Sequence, residues 1–411
     1  MDVYSETQWG FVYGTPFTGI DAVGAALKER PHLRAVQTNL LEFMPCYADL
    51  YKARGFNDWK PVDVMDFPAS SLDDCHVLCA SPPCQPFSSQ GHQHGSDDVR
   101  TLPFWKVIEF AVELHRRRTL LAIILENSPG CFHKKNGSVF FDDFQAAFLE
   151  ALPDWTPFVP WFMDAKDYEV PVSRNRMIAV SSPRLVRDVL KNPIDVTEDI
   201  AYICPFAKPV PTGRRLLSEC LDLDIQRKLP RSQKQLSNYR AWKEVFRKEF
   251  TDGRGPNSCA VVDVSRHPDK GFRANLTWDR LPSPTTGNCN MIVLSQSGDG
   301  LLTVAERARC MGFDYTKLKP YLTDRQIMKG VGNAIAVPVI GAVIDSVSEA
   351  LSRFFTIVKA SLPREPRDPE KLYKKRRLNP VVISGIHETP MLSLDPSPLE
   401  QYRSSLELLR T

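Results

Sequence analysis

No run of 18 or more apolar residues occurs in these 411 residues, so the sequence offers no helix able to span a bilayer. The N-terminal Met1-Asp2-Val3-Tyr4-Ser5-Glu6 lacks the basic stretch followed by an apolar one that marks a secretory signal. Cysteines number 10 and are irregularly spaced, too sparse for a disulfide scaffold, and this points to a reducing compartment. Charge of one sign is not in excess either: the formal net charge of +3 identifies no partner. Nor are there internal repeats. What is present is 43% hydrophobic and 25% charged residues, enough for a sizeable core.

Short apolar runs alternate with helical patterns from residue 8 to about 182. Phe11 to Phe17, Leu33 to Thr38, Cys75 to Ala80 and Leu120 to Leu125 read as strands. Asp21 to Arg30 and Phe104 to Arg116 read as helices. Continuous rather than alternating apolar runs suit strands buried on both faces, so the class is α/β with a parallel sheet and ligands at the carboxyl ends of its strands. The character changes across 183–290, where Pro, Ser, Asn and charge dominate. Within 227–254 there are nine Lys/Arg against three acids, interleaved with Tyr239, Trp242, Phe246 and Phe250. That pattern fits equally an amphipathic helix with buried aromatics and a nucleic-acid face. Helical text returns over 291–352, and 353–411 reads as a basic, mobile tail containing Lys374-Lys375-Arg376-Arg377.

The loop Pro83-Cys84-Gln85-Pro86-Phe87-Ser88 follows directly on an apolar strand. A thiol held on a Pro-stiffened loop at a ligand-binding rim is placed as a nucleophile, whereas Cys75 and Cys79 read as structural strand residues. His92-x-His94 could be read as metal ligands, but no Cys or carboxylate stands at ligand spacing, so a mobile loop over 88–100 is preferred and no metal is expected.

The same loop closely resembles the nucleophile loop of the C5-cytosine DNA methyltransferases, and further segments match in order. Phe17-Thr18-Gly19 is similar to the family's cofactor turn, Asp63-Val64 to its adenine-reading pair, Glu126-Asn127-Ser128 to its Glu-Asn-Val and Arg174-Asn175-Arg176 to its Arg-x-Arg. The stretches 302–313 and 330–338 resemble the family's last two motifs. Departures are Asp21 and Ala22 near a usual glycine, Ser128 for Val, Val172 for Gln and Gly300 for Arg; no ribose-binding acid stands out, although Glu42-Phe43 follows the second strand closely.

The resemblance implies a Rossmann-like S-adenosylmethionine-dependent methyltransferase domain, with residues 183–290 as an inserted target-recognition region. Its activity would be DNA cytosine-5 methylation by Cys84, Glu126, Arg174 and Arg176. Cofactor binding would fall to Phe17, Gly19, Glu42, Asp63, Val64, Pro83 and Asn333. The chemistry agrees: carbon 5 of cytosine is a poor nucleophile until a thiolate adds at carbon 6, and an acid near N3 stabilises the charge that enters the ring. Arg176 is the expected donor to O2 and Arg174 the expected phosphate contact. The target nucleotide must leave the duplex to be reached. The expected partner is DNA, with tRNA or a catalytically silent DNA-binding role as alternatives, and the chain is expected to be a monomer. It would act in the nucleus of a eukaryote, directed by 374–377, and otherwise in the cytoplasm.

Overall fold

The computed structural model describes residues 10–88, 98–135, 137–190, 204–222, 225–250, 258–269, 276–284, 290–296 and 298–361. Its centre is a six-stranded sheet of β1 (Val12–Pro16), β2 (Val36–Leu41), β3 (Val77–Ala80), β4 (Ala122–Asn127), β5 (Val159–Asp164) and β6 (Asn175–Ser181), in the order β2-β1-β3-β4-β6-β5. β2, β1, β3 and β4 are parallel; β6 runs antiparallel to both β4 and β5. Strand alternation sorts the side chains into two layers. Val77, Cys79, Ala122 and Ile124 face a core shared with helices α1 (Ala22–Lys28) and α10 (Val337–Ser361). The short helices α2 (Ala48–Ala53) and α5 (Arg184–Leu190) add Leu50, Tyr51 and Val186 to that core. Leu78, Ala80, Ile123 and Leu125 face the layer of α3 (Leu102–Arg116) and α4 (Phe140–Ala151), where Phe104, Phe140 and Phe144 interlock.

Several boundaries differ from the sequence pattern. The pattern begins a strand at Leu33, but Pro31–Leu33 form a 3-10 turn, Arg34 turns left-handed (φ 49°), and Leu33 plugs the core. The strand therefore begins at Val36 and continues through Asn39 to Leu41, because the Asn39 side chain exchanges hydrogen bonds with the Asp73 backbone at φ 53°. Glu126 and Asn127 lie inside β4 rather than after it. The C-terminal apolar text divides into α7 (Val304–Cys310), α8 (Tyr315–Leu318), α9 (Asp324–Asn333) and α10, which continues to Ser361, past the boundary expected at 352. Thr303–Glu306 and Thr323–Gln326 capping boxes fix the starts of α7 and α9.

A second, smaller sheet joins β7 (Ala260–Asp263), β8 (Thr277–Trp278), β9 (Met291–Leu294) and β10 (Gly300–Leu301) in the order β8-β7-β9-β10. It crosses the boundary expected at 290. Val261 and Val293 face the large core; Ala260, Val262, Ile292 and Leu294 face helix α6 (Gln233–Phe250) through Tyr239, Trp242 and Phe246. The aromatics of the basic segment are thus core residues. Cys204, Phe206, Leu217 and Cys220 pack in the large core, so the expected insert is not a unit from its first residue.

Candidate active site

β3 delivers the chain to the nucleophile loop, and the loop is stiff for local reasons. The Cys84 carbonyl accepts from Phe87 N (3.1 Å) and Ser88 N (2.9 Å), which closes a tight turn directly after the thiol. Asn127, fully buried at the end of β4, donates Nδ2 to the Pro82 carbonyl at 2.9 Å. Phe87 wedges between Phe104 and Phe140. Gly130 has no room for a side chain, since a Cβ there would overlap the Phe87 carbonyl. Pro83 is half-buried beside the thiol. The tip of the adjoining loop, with His92 and His94, lies outside the described residues.

Glu126 reaches the same place from β4. It is 7% exposed, its Oε1 stands 3.1 Å from Arg176 Nε, and Ser81 hydrogen-bonds to it. Burial raises its pKa, Arg176 and Arg174 pull it down, and the net position lies above the ordinary carboxylate range. The Cys84 thiol is also raised: burial outweighs the opposing pull of Arg176, while Glu126 adds to the rise. Among the described residues, nothing around the resting thiol lowers its pKa below the ordinary thiol value.

Arg174 corrects the expectation of a phosphate contact. Its guanidinium is turned inward, 3% exposed, and donates to Ser283 Oγ (3.1 Å) and the carbonyls of Pro284 (3.1 Å) and Gly332 (3.0 Å). Burial, then the Arg176 charge, push it down to about 9, so it remains a cation at neutral pH. It ties the segment around Ser283–Pro284, and the end of α9, to the active-site edge of β6. Arg176 stays at the rim, with Nη1 on the Asn175 carbonyl at 2.8 Å.

The candidate cofactor residues gather at the carboxyl ends of β1 and β2. Phe17 (φ 64°), Gly19 (φ 57°) and Asp21 (φ 65°) give the turn three left-handed residues. Extending β2 to Leu41 brings Glu42 against this turn: its Oε2 accepts from Gly19 N at 3.0 Å and its Oε1 from Met44 N at 2.9 Å. Burial raises the Glu42 carboxyl. Val62 N donates to the Glu42 carbonyl at 3.0 Å, which sets exposed Asp63 and buried Val64 alongside. Exposed Asn333 ends α9, whose Gly330 packs its Cα against Ile20 (a Cβ would stand 2.8 Å away). The space over Gly19 is open, with nothing within 4 Å of a would-be Cβ.

Some members of the site leave little trace in the sequence. Asp21, which stands near a usual glycine of the resembled family, occupies a left-handed position as the cap of α1. Its buried carboxylate accepts from Gly24 N (2.9 Å) and Gln37 Nε2 (2.7 Å) and pairs with Arg54. Asp tolerates this backbone better than most residues. Tyr51 donates its hydroxyl to the Gly19 carbonyl. Glycine at 130, two residues after the Glu-Asn-Ser motif, is the one visible signal. Among the described residues no His/Cys/Asp/Glu group could hold a metal ion.

A family model for the C-5 cytosine-specific DNA methylase matches residues 40–349. The chain belongs to that family. This methylase is 27% identical over 285 residues to the Type II methyltransferase M.HpaII of Haemophilus parainfluenzae, covering 68% of this chain and 73% of that protein. It is 24% identical over 304 residues to M1.ScrFI of Lactococcus lactis subsp. cremoris, covering 74% and 69%. Among solved structures it shares a fold with S. pombe Dnmt2 methyltransferase (TM-score 0.51, 17% identity, 84% of this chain and 99% of that one). The Entamoeba histolytica methyltransferase EhMeth gives a TM-score of 0.52 at 16% identity over the same shares. This methylase is thus a DNA cytosine-5 methyltransferase by family, on a methyltransferase fold. No single helix among its described residues is long and apolar enough to cross a membrane.

Proposed function

We propose that this methylase acts through a covalent Cys84 adduct on a flipped-out cytosine of DNA, with S-adenosylmethionine as methyl donor. The observation that carries the reading is the convergence of Cys84, Glu126 and Arg176, from β3, β4 and β6, at one end of the central sheet. S-adenosylmethionine, when bound, supplies an electrophilic methyl group. The open turn at Phe17-Gly19, the Glu42 carboxylate, Asp63, Val64, Pro83 and Asn333 would hold it.

This chain's residues do the rest. The Cys84 sulfur bonds to carbon 6 as its proton passes to solvent water, and the C5–C6 π electrons move toward N3 and carbon 5. Glu126, whose carboxyl burial pushes upward, donates to N3 and so stabilises the adduct and selects cytosine. Arg176 balances charge beside both groups and lies at the rim for the ring carbonyl. Arg174 acts as a cross-tie that fixes the edge of β6. After transfer, solvent water takes the carbon 5 proton, the electrons of that bond restore the C5–C6 double bond as the S–C6 bond breaks to free the thiolate, and Glu126 recovers its proton from N3.

The small sheet and α6 are the part shaped to read DNA: α6 carries Arg240, Arg247 and Lys248 on its exposed side, whereas Lys243 is turned to Asp299 at 2.6 Å. Of the two expected compartments, bacterial relatives support the cytoplasm; 374–377 lie outside the described residues. The test is incubation with tritiated S-adenosylmethionine and, separately, genomic DNA or bulk tRNA. Label at carbon 5 of DNA cytosine supports the reading. Label confined to tRNA overturns the substrate, and label in neither overturns the activity.

A further inference from the structure

Among the described residues, two of the connections between the catalytic core and the small unit run by Asp222 and Arg227 and through Gly300–Thr303, while Leu281–Pro284 touches the core separately beside Val172 and Arg174. Both passages meet at one side chain on α7. Glu306 has a fully buried side chain, and its Oε1 accepts from Asp222 N (2.8 Å) and Arg227 Nη2 (2.6 Å). Its Oε2 accepts from Arg227 Nη1 (2.9 Å), Thr303 N (2.8 Å) and Thr303 Oγ1 (2.9 Å). Arg227 donates in addition to the Asp222 carbonyl at 3.2 Å, and Arg309 closes the outside of the joint with Asp222 at 2.7 Å. The two passages also pair directly, Leu301 N on the Lys228 carbonyl at 2.8 Å.

Gly300 explains how the two segments come so close: any Cβ at 300 would overlap the Arg227 Cβ, so the residue without a side chain lets the Arg227 backbone pass alongside. Burial raises the Glu306 carboxyl, but Arg227 and the Thr303 and Asp222 N–H groups outweigh it and hold it below the ordinary range. A bidentate pair in this setting has one geometry, and it fixes the direction in which both passages leave the core.

We infer that the Arg227–Glu306 pair is the clamp that sets the small unit's orientation on the catalytic core, making Arg227 a positioning residue for DNA recognition. The inference rests on the reading that the small unit contacts DNA. The catalytic groups and the cofactor turn lie on other elements, so loosening the clamp separates two quantities that general unfolding would move together.

The experiment compares full-length wild type with Arg227→Met, Arg227→Lys, Glu306→Gln and the Arg227→Met/Glu306→Gln double variant. The KM for DNA, the Kd for S-adenosylmethionine and the spread of methylated sites in a random-sequence duplex pool are measured, with thermal unfolding alongside. Arg227→Met should raise the KM for DNA about tenfold and broaden the sites methylated, the scale of a displaced binding group, while the cofactor Kd moves less than about twofold. Arg227→Lys should recover part of the loss. The double variant should be no worse than Arg227→Met, since the pair acts as one unit. Equal losses for DNA and cofactor, or a folded Arg227→Met with unchanged KM and site choice, would overturn the clamp. Should Arg227→Met not fold, the same split in Glu306→Gln and Arg227→Lys decides. An α6 variant with Arg240, Arg247 and Lys248 changed to Gln separates the two ideas. If it weakens DNA binding while Arg227→Met does not, the clamp fails; if neither does, the recognition reading fails.

Discussion

At the residue scale, burial works on Cys84 and Glu126 in one direction and raises the pKa of both. For the acid that is an advantage, for the nucleophile a cost that Arg176 offsets in part. Cys84→Ser should abolish methyl transfer and the covalent complex with 5-fluorocytosine duplex while the protein still folds; a fully active Ser variant would end the adduct mechanism. Glu126→Gln keeps the shape but loses the proton donor, and turnover should fall about 10²-fold. Its pH behaviour has a definite sign. A carboxyl raised on folding stabilises the protein fully below the free glutamate value of about 4.3 and loses that contribution as pH rises through the folded pKa. Urea unfolding across a pH series should therefore show the stability of wild type relative to Glu126→Gln declining as pH rises above about 4.3. Parallel profiles would mean that Glu126 titrates alike in both states. Asp21 gives a second test. Asp21→Gly frees the backbone but strands the Arg54 charge, a loss of about 3 kcal/mol for a broken buried pair. Asp21→Ala should lose about 1 kcal/mol more, because alanine must also adopt the left-handed backbone. Equal losses would show that φ is not constrained there.

At the scale of elements, the nucleophile loop depends on what lies under it. The turn after Cys84 is held by its own carbonyl, by Asn127 at the end of β4, and by the Phe87 backbone resting on Gly130. Gly130→Ala drives a methyl group into the Phe87 carbonyl, and the loop carrying the thiol must shift. The expected result is a drop in kcat of about 10²-fold with cofactor affinity kept, as a displacement near 1 Å produces. An unchanged kcat in single-turnover assays would show that the loop is not positioned from below. The same logic explains β2. Its pattern reads as a strand ending near Asn39, yet the Asn39–Asp73 exchange carries it to Leu41, and only then does Glu42 meet Gly19.

At the scale of the whole molecule, the basic segment has two faces. Tyr239, Trp242 and Phe246 close a small core against β7 and β9, and the charges lie opposite or pair locally, Arg247 with Glu244 at 2.6 Å and Lys243 with Asp299. The amphipathic-helix reading thus accounts for the aromatics, and the proposed DNA contact rests on the exposed cations. Changing Arg240, Arg247 and Lys248 to Gln should weaken DNA binding and lower the slope of log K against log salt by about 0.9 for each phosphate that is no longer neutralised. Binding titrations at several salt concentrations read this directly, and an unchanged slope would leave these residues as ordinary solvated charge.

The sequence by itself determined the α/β class and the family, because continuous apolar runs mark buried strands and the motifs stand in the family's order, with Cys84 and Glu126 at the ends of β3 and β4. Buried strands announce themselves as continuous apolar runs, and those of β3 and β4 were legible. Only the tertiary structure decided which way each group faces and what holds it. Arg174 reads as a surface cation, and it became a buried cross-tie because Ser283, Pro284 and Gly332 carbonyl and hydroxyl groups arrive there from distant segments. Glu306 closes a local capping box with Thr303, yet Arg227, 79 positions earlier, also pairs with it. Local pattern follows from backbone geometry and burial period. Partners far apart in the chain are chosen by packing, which no period in the sequence records.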